Sequence, residues 1–223
     1  MQDKVLAKLE LISIEATTLE DGWYKSLMAV LDKGTDYLIS RGSFTGRYRK
    51  QLDFITVVFR YPGARPLIPF VPEGVPAPTD DDYIAEYLRC LVTSNKQSQE
   101  GYIYGDDLEE QIEKVIKMYK EPGPGTNQAY MAVGDRHSLD LEHSQCLRGI
   151  DTFVKNNKLH FMVYFRSWDL WAGFPSNLAG IQLLKEYMAQ EIGVQDGEMI
   201  VTSKGLHLYD YSFDVAKRVL NRK

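Results

Sequence analysis

With 223 residues, 44% of them hydrophobic, the chain is long enough to bury a sizeable core and short for two domains. A formal net charge of −5, with both signs interspersed, excludes the broad basic field of a general nucleic-acid surface but leaves room for a small anionic ligand held by a few arginines. No apolar run approaches a membrane span and no signal-peptide pattern opens the chain, so a cytoplasmic setting without membrane or nucleic-acid partners is the expectation. Cys90 and Cys146 allow at most one disulfide, and His137, His143, His160 and His207 have no metal-ligand spacing.

In chain order, residues 4–15 read as a strand and residues 20–34 as a helix with Trp23, Leu27, Val30 and Leu31 on one stripe. Arg41 to Gly46 is a glycine-flanked turn, and Gln51 to Arg60 a β-branched strand. Six prolines between residues 62 and 78 mark a loop insertion within one domain, 1–223. Thr79 to Asp82 starts a helix carrying Ile84, Tyr87, Leu88 and Leu91, and Gln97 to Gly101 is a polar loop. Leu108, Ile112, Val115, Ile116 and Tyr119 form a third amphipathic stripe, and Gln128 to Val133 a short strand. Cys146 to Val154 and Leu159 to Arg166, joined at Asn156-Asn157, read as a β-hairpin. A helix beginning near Asn177 is closed by Gly193, a strand covers Glu198 to Thr202, and a last helix covers 210–221. This mixture of helices and largely antiparallel strands predicts an α+β fold.

A free cysteine is ordinarily a small buried hydrophobe, and Cys90, continuing its helix stripe, is read that way. Cys146 differs, because Arg166 closes the hairpin it opens and a neighbouring guanidinium lowers a thiol pKa. Arg166 to Asn177 runs from a strand end through a Gly/Pro turn into a helix, a natural place to bind an anion and a heterocycle. The plainer reading makes Ser176 or Asn177 a helix N-cap. His207 and Tyr209 share one strand face by the two-residue period.

Cys146, Arg166-Ser167-Trp168-Asp169, Gly173-Phe174-Pro175-Ser176-Asn177, Gly197-Glu198 and His207-Leu208-Tyr209 stand in an order and spacing that resemble the thymidylate synthase family, in particular its compact archaeal members. Tyr24 to Arg41 and Tyr104-Gly105 are similar to further family segments, whereas 62–100 is not. The resemblance implies that Cys146 adds to C6 of a uracil ring. It implies that Arg166 and Arg41 bind the 5′-phosphate with Ser167 in support, and that Arg166 also lowers the thiol pKa. Asn177 would pair with N3–H and O4, His207 and Tyr209 would hold the 3′-hydroxyl, and Asp169 and Gly173 would lie near pterin and base. The catalytic glutamate would be Glu86, with Glu73 the competitor, and Tyr104 would assist proton transfer. The implied reaction converts dUMP to dTMP with 5,10-methylene-tetrahydrofolate or methylene-tetrahydromethanopterin as the one-carbon donor, on a homodimer.

Four departures from the family pattern bear on mechanism. Leu147 replaces the histidine after the nucleophile, Asn127-Gln128 replace paired arginines that reach a partner's phosphate, and no tryptophan-rich segment lies between Leu91 and Tyr102. The closing C-terminal segment also has no counterpart after Tyr209, and without it water could capture the exocyclic methylene intermediate. The alternatives are therefore a dUMP or dCMP hydroxymethylase on the same scaffold, or a non-catalytic nucleotide-binding relative.

Overall fold

A computed structural model describes residues 8–42, 44–97 and 101–222. Residues 4–7 of the first expected strand, Ser43 of the glycine-flanked turn and 98–100 of the polar loop lie outside the described residues. The fold is α+β, built from two mixed sheets and five α-helices among the described residues.

The larger sheet contains β1 (Leu11–Ala16), β4 (Phe54–Phe59), β5 (Tyr130–Ala132), β6 (Leu147–Lys155), β7 (Lys158–Phe165) and β9 (Gln195–Ser203), in the order β1-β4-β9-β7-β6-β5. Its β1–β4 and β7–β9 pairs are parallel and the others antiparallel. The smaller sheet runs β2 (Thr35–Leu38), β3 (Tyr48–Gln51), β10 (Leu206–Tyr209) and β8 (Trp168–Asp169). The helices are α1 (Leu19–Lys33), α2 (Asp81–Val92), α3 (Gly105–Lys120), α4 (Gly173–Ile192) and α5 (Phe213–Val219).

Local chemistry explains most of these elements. Thr18 caps α1 and Asp80 caps α2, each accepting a backbone N–H three residues on. Asn156 and Asn157 both take left-handed backbone, φ 53° and 59°, the two-residue turn that matches strand twist and pairs Lys155 with Lys158. The strand expected over Gln51 to Arg60 is instead two strands in two sheets. The break falls at Leu52-Asp53, where the Leu52 N–H donates to Leu206 and the Asp53 carboxylate accepts from Glu10 N. No pattern in the sequence signals β2, whose four residues are all exposed.

α4 is the centre of the molecule, meeting α1, α2, α3, β7, β8 and β9. Twelve of its twenty residues are buried, so it is packed on several sides rather than amphipathic like α2 and α3. It starts at Gly173, four residues before the expected Asn177, because the Asp169 carboxylate accepts the N–H groups of Trp171, Ala172 and Gly173 and so caps the first turn from outside. Its other end is pinned by Lys185, fully buried, whose ammonium donates to the Gly197 carbonyl and pairs with Asp196 at 3.2 Å. Burial pulls that lysine's pKa down to about 8.

Leu178, wholly buried on α4, should cost about 2–5 kcal/mol of unfolding free energy when replaced by alanine. Tyr187→Ala, at a half-exposed position of the same helix, should stay within about 0.5 kcal/mol. Urea denaturation of both variants checks the pair.

Candidate active site

The hairpin β6–β7 ends with Leu147 opposite Phe165, which sets Cys146 and Arg166 side by side at its open end. The Arg166 N–H donates to the Cys146 carbonyl at 2.9 Å. The guanidinium is clamped through Nε to the Gln145 carbonyl at 2.9 Å and through Nη2 to the Ser144 carbonyl at 2.5 Å. Nη2 also stands 3.9 Å from Cys146 Sγ. The thiol and cation expected to meet therefore do so, and both cysteines are unbridged thiols.

The Arg166 guanidinium does pull the thiol pKa down as expected, but burial outweighs it. Burial pushes Cys146 up most strongly; Arg166 opposes it, Asp169 adds to it, and Arg49 opposes it more weakly. The net direction is upward, so the thiol is protonated at neutral pH. Arg49 was not foreseen. It lies on β3 opposite Tyr209 of β10, and its charge reaches Cys146, His207 and Tyr209. The available signal was the two-residue period through Arg49 and Gln51, legible only once β3 is recognised as a strand. Arg41 stands exposed on the β2–β3 loop; Phe44 of that loop packs 4.7 Å from the Tyr209 ring.

Three tyrosines wall the thiol. Tyr102 and Tyr104 bring their hydroxyls within 3.4 Å, and the Tyr87 ring meets Tyr104 edge-on at 6.0 Å. Burial raises all three pKa values, and each feels the charge of a Cys146 thiolate. Tyr104 was expected; Tyr87 looked like a core residue of α2, and Tyr102 carried no pattern. Their placement depends on glycines. A Cβ on Gly180 would fall 2.7 Å from the Tyr87 ring, and one on Gly105 would fall 1.8 Å from the Thr93 carbonyl.

Asp169 sits at the start of α4, where burial raises its carboxyl pKa against the pull of its three backbone N–H donors. A Cβ on Gly173 would lie 3.3 Å from the Asp169 Cβ and 3.5 Å from Asn177 Oδ1, so these three residues share one corner. Asn177 Oδ1 accepts from the Trp168 indole at 3.1 Å, and Ser176 Oγ donates back to the Ala172 carbonyl at 2.7 Å; neither residue is an N-cap. Ser167 is half-buried at the bend between β7 and β8.

His207 is almost wholly buried, hydrogen-bonded through Nδ1 to the Gly205 carbonyl at 2.8 Å and packed edge-on to Tyr209 at 4.7 Å. Nδ1 must be the donor there, which leaves Nε2 an acceptor, and Nε2 has no partner among the described residues. Burial brings its pKa down to about 4.

Glu86 does not join this group. Its carboxylate is exposed and pairs with Arg89 at 2.7 Å, which lowers its pKa, and no described contact links it to Cys146, Arg166 or Asn177. Glu73 is exposed on the proline-rich loop. Leu147 is buried in the core and brings no polar group to the site.

A protein-family model described as thymidylate synthase matches residues 93–223, more than half of the chain. The chain belongs to the thymidylate synthase family. A protein of Methanosarcina mazei named "Putative thymidylate synthase" is 27% identical over 217 residues, covering 93% of this chain and 94% of its own. A protein of the same printed name from Methanothermobacter marburgensis is 23% identical over 222 residues, covering 93% of this chain and 97% of its own. The match to a Listeria monocytogenes "Thymidylate synthase" is 28% over 152 residues, but only 64% of this chain and 48% of that protein. The full-length likeness is thus to the archaeal relatives. Among the described residues no helix is long and apolar enough to cross a membrane.

Two outcomes follow from the ionisation of the site. Alkylation of Cys146 by iodoacetamide, measured in a Cys90→Ala background, should rise with pH through the region above the ordinary thiol value. Arg166→Met should move that profile to still higher pH, and Arg166→Lys should not. For His207, the ring is neutral in both folded and unfolded chains above pH 6.5. Below it the unfolded chain takes up a proton that the buried ring refuses until about pH 4, so stability should fall by up to about 3 kcal/mol across that window. Urea unfolding of wild type against His207→Gln isolates this loss.

Proposed function

We propose that the chain converts dUMP to dTMP, with Cys146 as the nucleophile. The observation that carries this reading is the grouping, in one region of the fold, of a thiol, two arginines, three tyrosine hydroxyls and the unpartnered acceptor His207 Nε2. A nucleotide would answer each of these groups. Its phosphate suits Arg166 and Arg49, with Ser167 at the bend and Arg41 reaching from its loop. Its 3′-hydroxyl suits His207 Nε2 and Tyr209. Its base edge suits Asn177, whose carboxamide presents an acceptor and a donor together.

Sulfur then bonds to C6 as the C5=C6 electron pair moves towards C5 and O4, where the Asn177 amide N–H stabilises the growing charge. The thiol proton passes to the Tyr102–Tyr104 hydroxyl pair and out to water. Because burial keeps the resting thiol protonated, this proton movement belongs to the addition step rather than preceding it. After the base has been alkylated at C5, the same hydroxyls are placed to receive the C5 proton. Glu86 has no step here, since its carboxylate is held at the surface by Arg89.

The donor would be methylene-tetrahydrofolate or methylene-tetrahydromethanopterin, which when bound supplies the carbon and reducing equivalents of the new methyl group. The residues fit such a group in one respect. Asp169 Oδ1 accepts one described hydrogen bond and Oδ2 two, so a lone pair on Oδ1 is left for a pterin N–H, with Gly173 leaving room beside it.

The homodimer is proposed for the outward face of the larger sheet. Val58, Ile200 and Met162 lie abreast on β4, β9 and β7, flanked by Thr56, Thr202 and Tyr164, all half-buried or exposed. Such a row is suited to pack against a second copy.

Incubation with 5-fluoro-dUMP and a methylene donor should yield a covalent adduct on intact protein, lost in Cys146→Ser. With dUMP, mass spectrometry should find a methyl product. An adduct with a hydroxymethyl product would replace the methylation reading, and nucleotide binding with no adduct would sink the enzymatic one.

A further inference from the structure

Trp168 is nearly wholly buried, its indole stacked between Phe165 at 4.5 Å and 5° and Phe174 at 4.4 Å and 20°. Two parallel ring contacts fix the plane of the indole and leave one polar atom, Nε1–H, to be satisfied. That N–H meets Asn177 Oδ1 at 3.1 Å. An indole nitrogen only donates, so the atom facing it must be the amide oxygen; a flipped carboxamide would set an NH2 against an N–H. Asn177 has no other side-chain hydrogen bond among the described residues, and Leu147, buried beside the nucleophile, offers none. Gly173 leaves the corner next to Oδ1 open, since only an added Cβ would come within 3.5 Å of it.

A carboxamide that turns freely pairs with either pyrimidine edge. A 4-oxo pyrimidine offers an N3–H donor and an O4 acceptor; a 4-amino pyrimidine offers the reverse order. A carboxamide held in one orientation, over a base held in one place, accepts one order only.

We propose that Trp168 is the residue that sets base choice: its clamped indole N–H locks the Asn177 carboxamide so that a 4-oxo pyrimidine is read and a 4-amino pyrimidine is rejected. Trp168 acts through Asn177, so it is a positioning residue. The inference rests on the reading of Asn177 as the base-binding group. Oδ1 keeps a second lone pair for N3–H, and Nδ2, turned away from the indole, is left to donate to O4.

The test is Trp168→Phe, which keeps an aromatic ring in the stack and removes the donor, together with replacement of Trp168 by 3-benzothienylalanine, a bicyclic ring of the same shape with sulfur in place of N–H. Binding of dUMP and dCMP is measured by calorimetry for each protein. Wild type should prefer dUMP, and both replacements should shrink the dUMP-to-dCMP affinity ratio by roughly tenfold or more, chiefly by admitting dCMP. Loss of packing alone would weaken both ligands together and leave the ratio unchanged; that result overturns the lock while leaving the base-binding reading standing. Wild type that binds dCMP as well as dUMP also overturns the lock. Wild type that binds neither overturns the reading of the site and the lock with it. Should Trp168→Phe fail to fold, the isosteric replacement gives the same decision.

Discussion

The structure depends first on how one guanidinium is held. Arg166 is fastened by its own backbone N–H to the Cys146 carbonyl and by its side chain to the Gln145 and Ser144 carbonyls, in the segment that leads into the opposing strand. Charge-assisted bonds to neutral carbonyls leave the positive charge uncancelled, so the cation is fixed in direction yet available to an anion. Because these acceptors are backbone groups that run directly into β6, the spacing between thiol and cation follows the hairpin register rather than side-chain flexibility. Cross-strand pairing on one side and the stacked Phe165, Trp168 and Phe174 on the other then carry that geometry to the start of α4.

Burial and charge pull in opposite directions throughout the site, and burial prevails. It raises Cys146, Asp169 and the three tyrosines and lowers His207, each towards its neutral form. The arginines are the exception that a basic guanidinium allows. The thiol, the tyrosines and the imidazole are therefore held towards their neutral forms beside the fixed charges of Arg166 and Arg49. Arg49 Nε, Tyr87 Oη, Gln145 Oε1 and His207 Nε2 are among the buried polar atoms without a described partner, and all four belong to this site.

The sequence announced those parts that depend on local chemistry. Asp80 and Thr18 as caps, the Asn156-Asn157 turn, the helix stripes and the meeting of Cys146 with Arg166 all follow from short-range patterns. What was hidden depends on distant partners. Arg49 becomes a site residue only through the pairing of β3 with β10, and Tyr87 only because Gly180 lets α2 approach α4. The early start of α4 is set by a carboxylate four residues upstream, and the thiol's raised pKa by desolvation that no linear pattern encodes. Glu86 shows the reverse case. It stands where the family resemblance points, while an arginine one helical turn away holds it in solvent.

The protonated thiol has a consequence for how the resting protein meets oxidants. Oxidants attack the thiolate and act slowly on the thiol, and sulfenic acid formation follows the ionised fraction. A thiol that burial keeps neutral is therefore slow to react with peroxide. The same desolvation that holds the proton on sulfur thus makes the resting protein durable.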